Sequence, residues 1–459
     1  RVVVAGEELL VGKAENFALL MNVEHRQRLE QVLGAEPTLA PELETLGSWF
    51  AANQVTAMLL PAGAELVWKL GREGLASQSA EFEEQFADEA FADTVAEMKR
   101  SFAMLDLLLG NCSDEIHAVA IGLSIDDDAN LRLGKRALLK PKSRLGKLGE
   151  GAAPVPQLLR GYADEPFVAV GGGPVSGRFA EFLVDLNDRL VALDPDGFGF
   201  GGIPEEELKA AFDKQRTMYD GVNSLSIAYL PGKENDALMS NYYMVLGCDD
   251  SAKVLDRWEQ GMQIANDLME RSTSELKMHW AMERRTIAGK PALELSADLG
   301  ELMADELVGF MDAYAEDLFG KDGKLRWPLV AADAGTVVSG IASDESLVEL
   351  GIAATHAESP LANSAPVAAT TALFDPEAPW RLYVSPQGTV QWFGRIFKML
   401  TRHFGGGAPE IPDYPATPPV GFTLKIASDR LEADMVWPAA ALEGLSQYIA
   451  TVQKEMAAQ

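Results

Sequence analysis

The spacing that most resembles a chemical site lies between Asp194 and Glu205, in DPDGFGFGGIPE. Counted from Asp194 as the first position of a calcium loop, Asp196 is third, Gly199 sixth and Glu205 twelfth. Such a loop needs carboxylates at its first and third positions, a sharp glycine turn at the sixth and a bidentate glutamate at the twelfth. Asp194, Asp196 and Glu205 are therefore candidate calcium ligands, and calcium is the one cofactor the sequence suggests. Phe198 at the fifth position, Gly201 at the eighth and Pro204 at the eleventh depart from the pattern. The competing reading is a glycine-rich connection in which Pro204 opens the next helix and the glutamates offset its dipole. Asp126, Asp127 and Asp128 form a second oxygen-rich turn, but three consecutive acids do not readily face one ion.

Other chemistry finds less support. Gly171-Gly172-Gly173-Pro174-Val175-Ser176-Gly177 reads as a loop between a strand and a helix, the context in which backbone N–H groups cradle phosphate. It lacks the GxGxxG spacing and a following Lys-Ser/Thr, so a plain turn is the stronger reading. His25, His117, His279, His356 and His403 fall in five different elements, and neither HExxH nor GxSxG occurs. Cys112 and Cys248 form no CxxC or zinc pattern; they read as separate thiols, with pairing in an oxidising compartment as the alternative. The one basic concentration is Arg132, Lys135, Arg136, Lys140, Lys142, Arg144 and Lys147. Arg132, Lys135, Arg136, Lys140 and Lys142 are candidate partner-binding residues. The patch suits pairing with acidic surface within or between subunits, docking of an acidic partner, or a strand edge guarded by lysines.

The elements that would position these residues follow from hydrophobic period. Phe422, Leu424 and Ile426, then Leu431, Ala433, Met435 and Trp437, alternate with polar residues across a turn at Ser428-Asp429-Arg430. Pro438 then opens a helix carrying Leu442, Leu445, Ile449 and Val452. The same strand–turn–strand–helix order recurs at 225–268 and 325–352, without a fixed residue period. Other helices are expected at 21–33, near 43–53 and over 78–108. Pro61-Ala62-Gly63 reads as a turn, and His117–Ser124 with Leu131–Leu139 as a hairpin. The class is α+β: mostly antiparallel sheets built from strand–turn–strand–helix units, with helices packed on one face. Residues 148–166, rich in Gly, Ala and Pro, suggest a boundary. The expected division is an N-terminal domain over 1–150, a linker over 151–166 and a C-terminal domain over 167–459. The last could split into 167–310 and 311–459.

Composition bounds the function. A chain of 459 residues with 47% hydrophobic content is long enough for more than one packed core. A net charge of −30 repels nucleic acid and anionic lipid, so nucleic-acid binding is not expected. No apolar run reaches the length of a membrane span. The first residues, RVVVAGEELLVG, read as a strand inside a domain and not as a signal peptide.

Five stretches, LAPELETLGSWFAANQVTAMLLPAG (39–63), IGLSIDDDANLRLGKRALL (121–139), FVAVGGGPVSG (167–177), YVSPQGTVQWF (383–393) and PATPPVGFTLKIASDRLEADMVWPAAALEGLSQYI (415–449), carry a resemblance. They resemble uncharacterised exported proteins of planctomycete-type bacteria, related to a bacterial domain family of unknown function. The resemblance implies a signal peptide and export to the periplasm or cell surface, and it supplies no catalytic residues. The expected function is a non-enzymatic exported protein of the cell envelope with a binding, structural or self-assembly role, as a homo-oligomer or with an envelope protein partner. The alternatives are a carrier of a hydrophobic ligand or a calcium-binding module, and a hydrolase whose site is assembled from distant loops.

Overall fold

The computed structural model describes residues 2–4, 7–14, 17–22, 41–86, 92–155, 158–175, 177–195, 200–233, 236–274, 278–298, 317, 324–341, 345–356, 361–404 and 411–458. The chain forms two compact units, residues 1–53 and 54–459. In the first, β1 (Val2–Val4), β2 (Glu7–Ala14) and β3 (Phe17–Asn22) make an antiparallel sheet in that order. The helix expected from Met21 does not start there: Met21 faces Leu10 and Asn22 faces Leu9 in the β2–β3 ladder. A short apolar run suits either structure until a partner strand decides it; residues 23–33 lie outside the described residues. Helix α1 (Pro41–Ala51) follows, with Leu46 buried.

The second unit is organised by one antiparallel sheet. Its elements are β4 (Val55–Leu59), α2 (Pro61–Gln85), α3 (Ala92–Glu115), β5 (Ile116–Ile125), β6 (Leu131–Leu139), α4 (Arg144–Leu148), β7 (Ala169–Pro174), α5 (Gly177–Leu193), α6 (Glu205–Gln215), β8 (Val222–Tyr229), β9 (Tyr242–Cys248), α7 (Ser251–Arg271), β10 (Ala281–Ile287) and β11 (Lys290–Asp298). After these come β12 (Lys324–Asp333), β13 (Thr336–Ile341), α8 (Ser346–His356), α9 (Ala365–Thr371), β14 (Trp380–Val384), α10 (Pro386–Phe404), β15 (Val420–Ile426), β16 (Arg430–Trp437) and α11 (Ala439–Ala458). The 13 strands run in the order β10-β11-β12-β13-β9-β8-β7-β14-β15-β16-β6-β5-β4. The class is α+β, and the repeated unit is present as β8–β9–α7, β12–β13–α8 and β15–β16–α11.

Helices cover both faces of this sheet, not one. Along β9, Tyr243 and Val245 pack with Val348 and Ile352 of α8, whereas Met244, Leu246 and Cys248 pack with Val254, Leu255 and Trp258 of α7. Side chains alternate across a strand. Strands covered on both sides therefore read as continuous apolar runs, such as LVAA in β12. Those runs are the sequence signal for two-sided burial.

The stretch read as a linker over 151–166 sits inside the second unit. Leu159 and Tyr162 are buried in the core, the Tyr162 hydroxyl donates to Ser226 Oγ at 3.0 Å, and the Tyr243 hydroxyl donates to the Gly161 carbonyl at 3.3 Å. Strands on both sides of the stretch join one sheet, since β6 pairs β16. The suggested split at 310/311 falls outside the described residues, and β11 and β12 pair across it, Asp298 opposite Lys324.

Gly171, Gly172 and Gly173 are not a loop but the middle of β7, between β8 and β14. A Cβ at Gly172 would lie 2.0 Å from the Leu225 carbonyl oxygen, and one at Gly173 2.1 Å from the Trp380 ring. Only glycine allows neighbouring strands this approach.

Pro61 does not make a turn; it is the first residue of α2, where its missing N–H costs nothing. Two helices replace the single one expected over 78–108: Phe86 leaves helical geometry at φ −114°, and α3 starts at Ala92. Because β4 and β5 are adjacent antiparallel strands, α2 and α3 form a helical hairpin inserted between them. At 1.5 Å per residue α2 runs about 37 Å.

Candidate functional site

The basic hairpin folds onto acids of a strand some three hundred residues away. Arg132 and Arg136 lie two residues either side of Gly134 on β6, so they share one face. Gly134 stands opposite Asp434 of β16. Both arginines therefore close on that carboxylate. Arg136 donates from Nη1 to Oδ1 at 2.7 Å and from Nη2 to Oδ2 at 3.3 Å; Arg132 donates from Nη1 to Oδ2 at 3.2 Å. Glu432, opposite Arg136 in the ladder, approaches its Nε at 3.8 Å. Arg132 also donates to the Leu373 carbonyl. Arg136 and Asp434 are each only 8% exposed. Lys140 donates to the Ser113 carbonyl at 2.7 Å. Lys135, out of phase with the arginines, and Lys142 are exposed. For the two arginines this is the intramolecular pairing among the readings of the patch.

Of the three candidate calcium residues, Asp194 and Glu205 are among the described residues. Asp194 lies 3.4 Å from Arg100 Nε. Glu205 is an exposed first-turn residue of α6, beside Glu206 and Glu207. Pro204 precedes that helix without a side-chain cap, so the glutamates meet its positive end. Asp196 and Gly199 lie outside the described residues. Among the described residues, no group of three His, Cys, Asp or Glu is placed to hold a metal ion. The acidic turn at Asp126 binds itself: Oδ1 accepts from the backbone N–H groups of Asp128 and Asn130, and the carboxylate accepts the Asn130 side-chain amide. These bonds, led by the Asn130 side chain, lower the Asp126 pKa.

The residues expected to be chemically inert sit in separate elements. Cys112 is half-buried on α3 and Cys248 is buried on β9; both are free thiols. Burial raises both, Cys248 to about 11, so neither is poised as a thiolate at neutral pH. His117 lies on β5, His279 ahead of β10, His356 at the end of α8 and His403 near the end of α10. His25 lies outside the described residues.

Sequence reasoning missed Glu115, the last residue of α3. It is 7% exposed, accepts from Ser143 Oγ at 2.5 Å and from the backbone N–H of Arg144 at 2.6 Å, and pairs with Arg144 Nε at 2.9 Å. Burial works to raise its pKa, but the bonds from Ser143 and Arg144 outweigh it and hold the carboxyl below its usual value. A carboxylate reaching across from another helix to the start of α4 leaves no local sequence signature.

Two clefts flank these elements. One of about 530 Å³ is lined by Arg144, Lys147, Arg178 and Arg216 with Glu150, Glu181 and Asp185. Its charges neutralise each other: Arg144 meets Asp185 at 3.1 Å, and Arg178 meets Glu150. The other, of about 490 Å³, lies among Leu230, Pro231, Asp236, Asn241, Leu347 and Gln391. Neither is lined by histidine or cysteine.

The surface is less ordinary than the clefts. Among the described residues, most exposed large apolar side chains fall into two zones; Leu193, Leu382 and Ile449 lie apart. The first zone is β4, the helical hairpin and β5: Val55, Leu60, Leu66, Val67, Leu70, Leu105, Leu108, Ile121 and Ile125. The second is α10 with Ile411, which lies beside Gly394: Phe393, Phe397, Leu400 and Ile411. On α10 the spacing 393, 397, 400 makes one stripe. Pro386–Phe404 contains no Asp or Glu. Arg395 anchors the helix by donating to the carbonyls of Pro231 and Asp236. Among the described residues, no helix is long and apolar enough to cross a membrane.

No family model, curated protein or solved structure matches this chain.

Proposed function

We propose that this is a non-enzymatic exported protein of the cell envelope that acts by binding other macromolecules through its exposed zones. The observation that carries the reading is the gathering of exposed large apolar side chains at β4–α2–α3–β5 and along α10. Scattered exposed leucines are ordinary, but contiguous apolar patches on a folded chain mark interaction surfaces. The α10 stripe is presented by a helix held at Arg395, and it lacks acids on a chain with 69 of them. The placement in the envelope rests on the resemblance of its five stretches to exported proteins.

The test is sedimentation of the purified protein through a gradient with and without detergent-solubilised envelope from the native organism. Wild type shifts to a larger species with the extract, and Phe393→Glu/Phe397→Glu does not. Both side chains are exposed, so the variant keeps its fold. Wild type that sediments identically with and without the extract sinks the reading. Fractionation of cells expressing the full-length gene checks export; recovery only from the cytosol removes that part.

A further inference from the structure

We propose that β4 is a docking strand for a second copy of this chain, the two β4 strands pairing antiparallel about a two-fold axis and joining their sheets. This rests on the reading that the protein works through its exposed zones, and it names the partner at one of them. The two ends of the sheet differ. β10, at one end, carries Glu283, Arg284 and Arg285, with Arg284 bonded to Asp256 and Glu259 and Arg285 within 2.8 Å of Glu345. Charged side chains on an edge strand oppose pairing with another chain. β4, at the other end, is Val-Thr-Ala-Met-Leu, and among the described residues no strand lies beyond it. Val55 is 62% exposed and Ala57 is exposed. Ile121, opposite Ala57 on β5, is exposed on the same face.

Charge selects the occupant. No ionisable side chain lies between Glu44 and Glu65, on a chain of net charge −30. A site for an acidic partner needs cations, which this edge lacks. Two copies of so acidic a chain repel wherever their charged surfaces meet, and this edge lets them touch without opposing carboxylates. An antiparallel strand pair is self-complementary: centred on Ala57, it sets Val55 against Leu59 of the other copy and closes as a dimer. Five residues span about 17 Å. The edge alone is therefore a small contact, and dimerisation is expected in the micromolar range.

The test is analytical ultracentrifugation of the purified full chain across micromolar concentrations. Wild type dimerises. Ala57→Lys sets two lysines against each other across the axis and weakens the dimer at least about tenfold. Thr286→Lys, on exposed β10, leaves it unchanged. Hydrogen exchange on wild type gives a readout free of any folding defect: amides of 55–59 gain protection as concentration rises. A monomeric wild type, an Ala57→Lys variant that dimerises as wild type does, or a dimer with unprotected 55–59 overturns the proposal. Because the purified protein is used alone, such a failure leaves the gradient experiment to decide the wider reading separately.

Discussion

At the scale of single residues, two buried carboxylates tie together segments far apart in sequence. Asp434 sits between Arg132 and Arg136 with little exposure. Removing it leaves the buried Arg136 with only Glu432, at 3.8 Å, as a carboxylate partner. Asp434→Ala is therefore expected to destabilise the fold by about 3–5 kcal/mol, read by chemical denaturation. An unchanged midpoint would show that the arginines find water instead. Glu115 makes a sharper, pH-linked case. Its native pKa lies below the ordinary value of 4.5, so its ionised form contributes stability above that value. The contribution is lost as pH falls from there through the lower native pKa. Glu115→Gln should then cost about 1–3 kcal/mol at neutral pH, with the gap to wild type closing under acid. A gap independent of pH would assign the loss to packing. Neither cluster was legible beforehand. The basic residues of the hairpin stood out in the sequence, but their partner strand begins at Arg430, and nothing local says that β6 lies beside β16.

At the scale of elements, the alternating strands and their turns were readable because each carries its own signal. Asp250 caps α7 by accepting from the Lys253 N–H, and the turn at Ala288-Gly289 uses two left-handed residues, at φ 49° and 74°. Misreadings came where composition and context conflict. The glycine triplet of β7 has loop composition but lies in a sheet centre, because its neighbours come too close for a Cβ. Gly172→Ala is thus expected to cost about 1–3 kcal/mol or more through strand displacement. A melting temperature equal to wild type would mean that β8 yields freely. The first part of α2, before residue 78, was not expected for a related reason: Gly71 and Gly74 interrupt a weakly amphipathic sequence, and its pairing with α3 supplies what its own pattern lacks. The candidate calcium loop lies partly outside the described residues; of its twelfth position, the structure shows that Glu205 stands in the first turn of α6, where a carboxylate also meets the helix's positive end.

At the scale of the whole molecule, one sheet runs from β10 to β4 through segments that composition alone divides at 151–166. Glycine and proline mark that stretch as irregular, but Leu159 and Tyr162 bury it, and burial decides whether an irregular segment is a linker. Net charge is the property that sequence states outright, and it separates two ways this protein could self-associate. If copies meet at the uncharged β4 edge, the opposing force is the repulsion between two bodies of charge −30. Salt screens that repulsion, the screening length falling from about 10 Å at 0.1 M to about 3 Å at 1 M, while apolar and backbone contacts persist. Association should strengthen as salt is raised. If instead Lys135 and Lys142 of one copy meet acidic surface on another, salt screens the attraction and association should weaken. Mass photometry across a salt series at fixed protein concentration reads the sign directly. A dimer fraction that falls with salt would rule out the β4 contact as the main interface and move it to the exposed lysines of the hairpin.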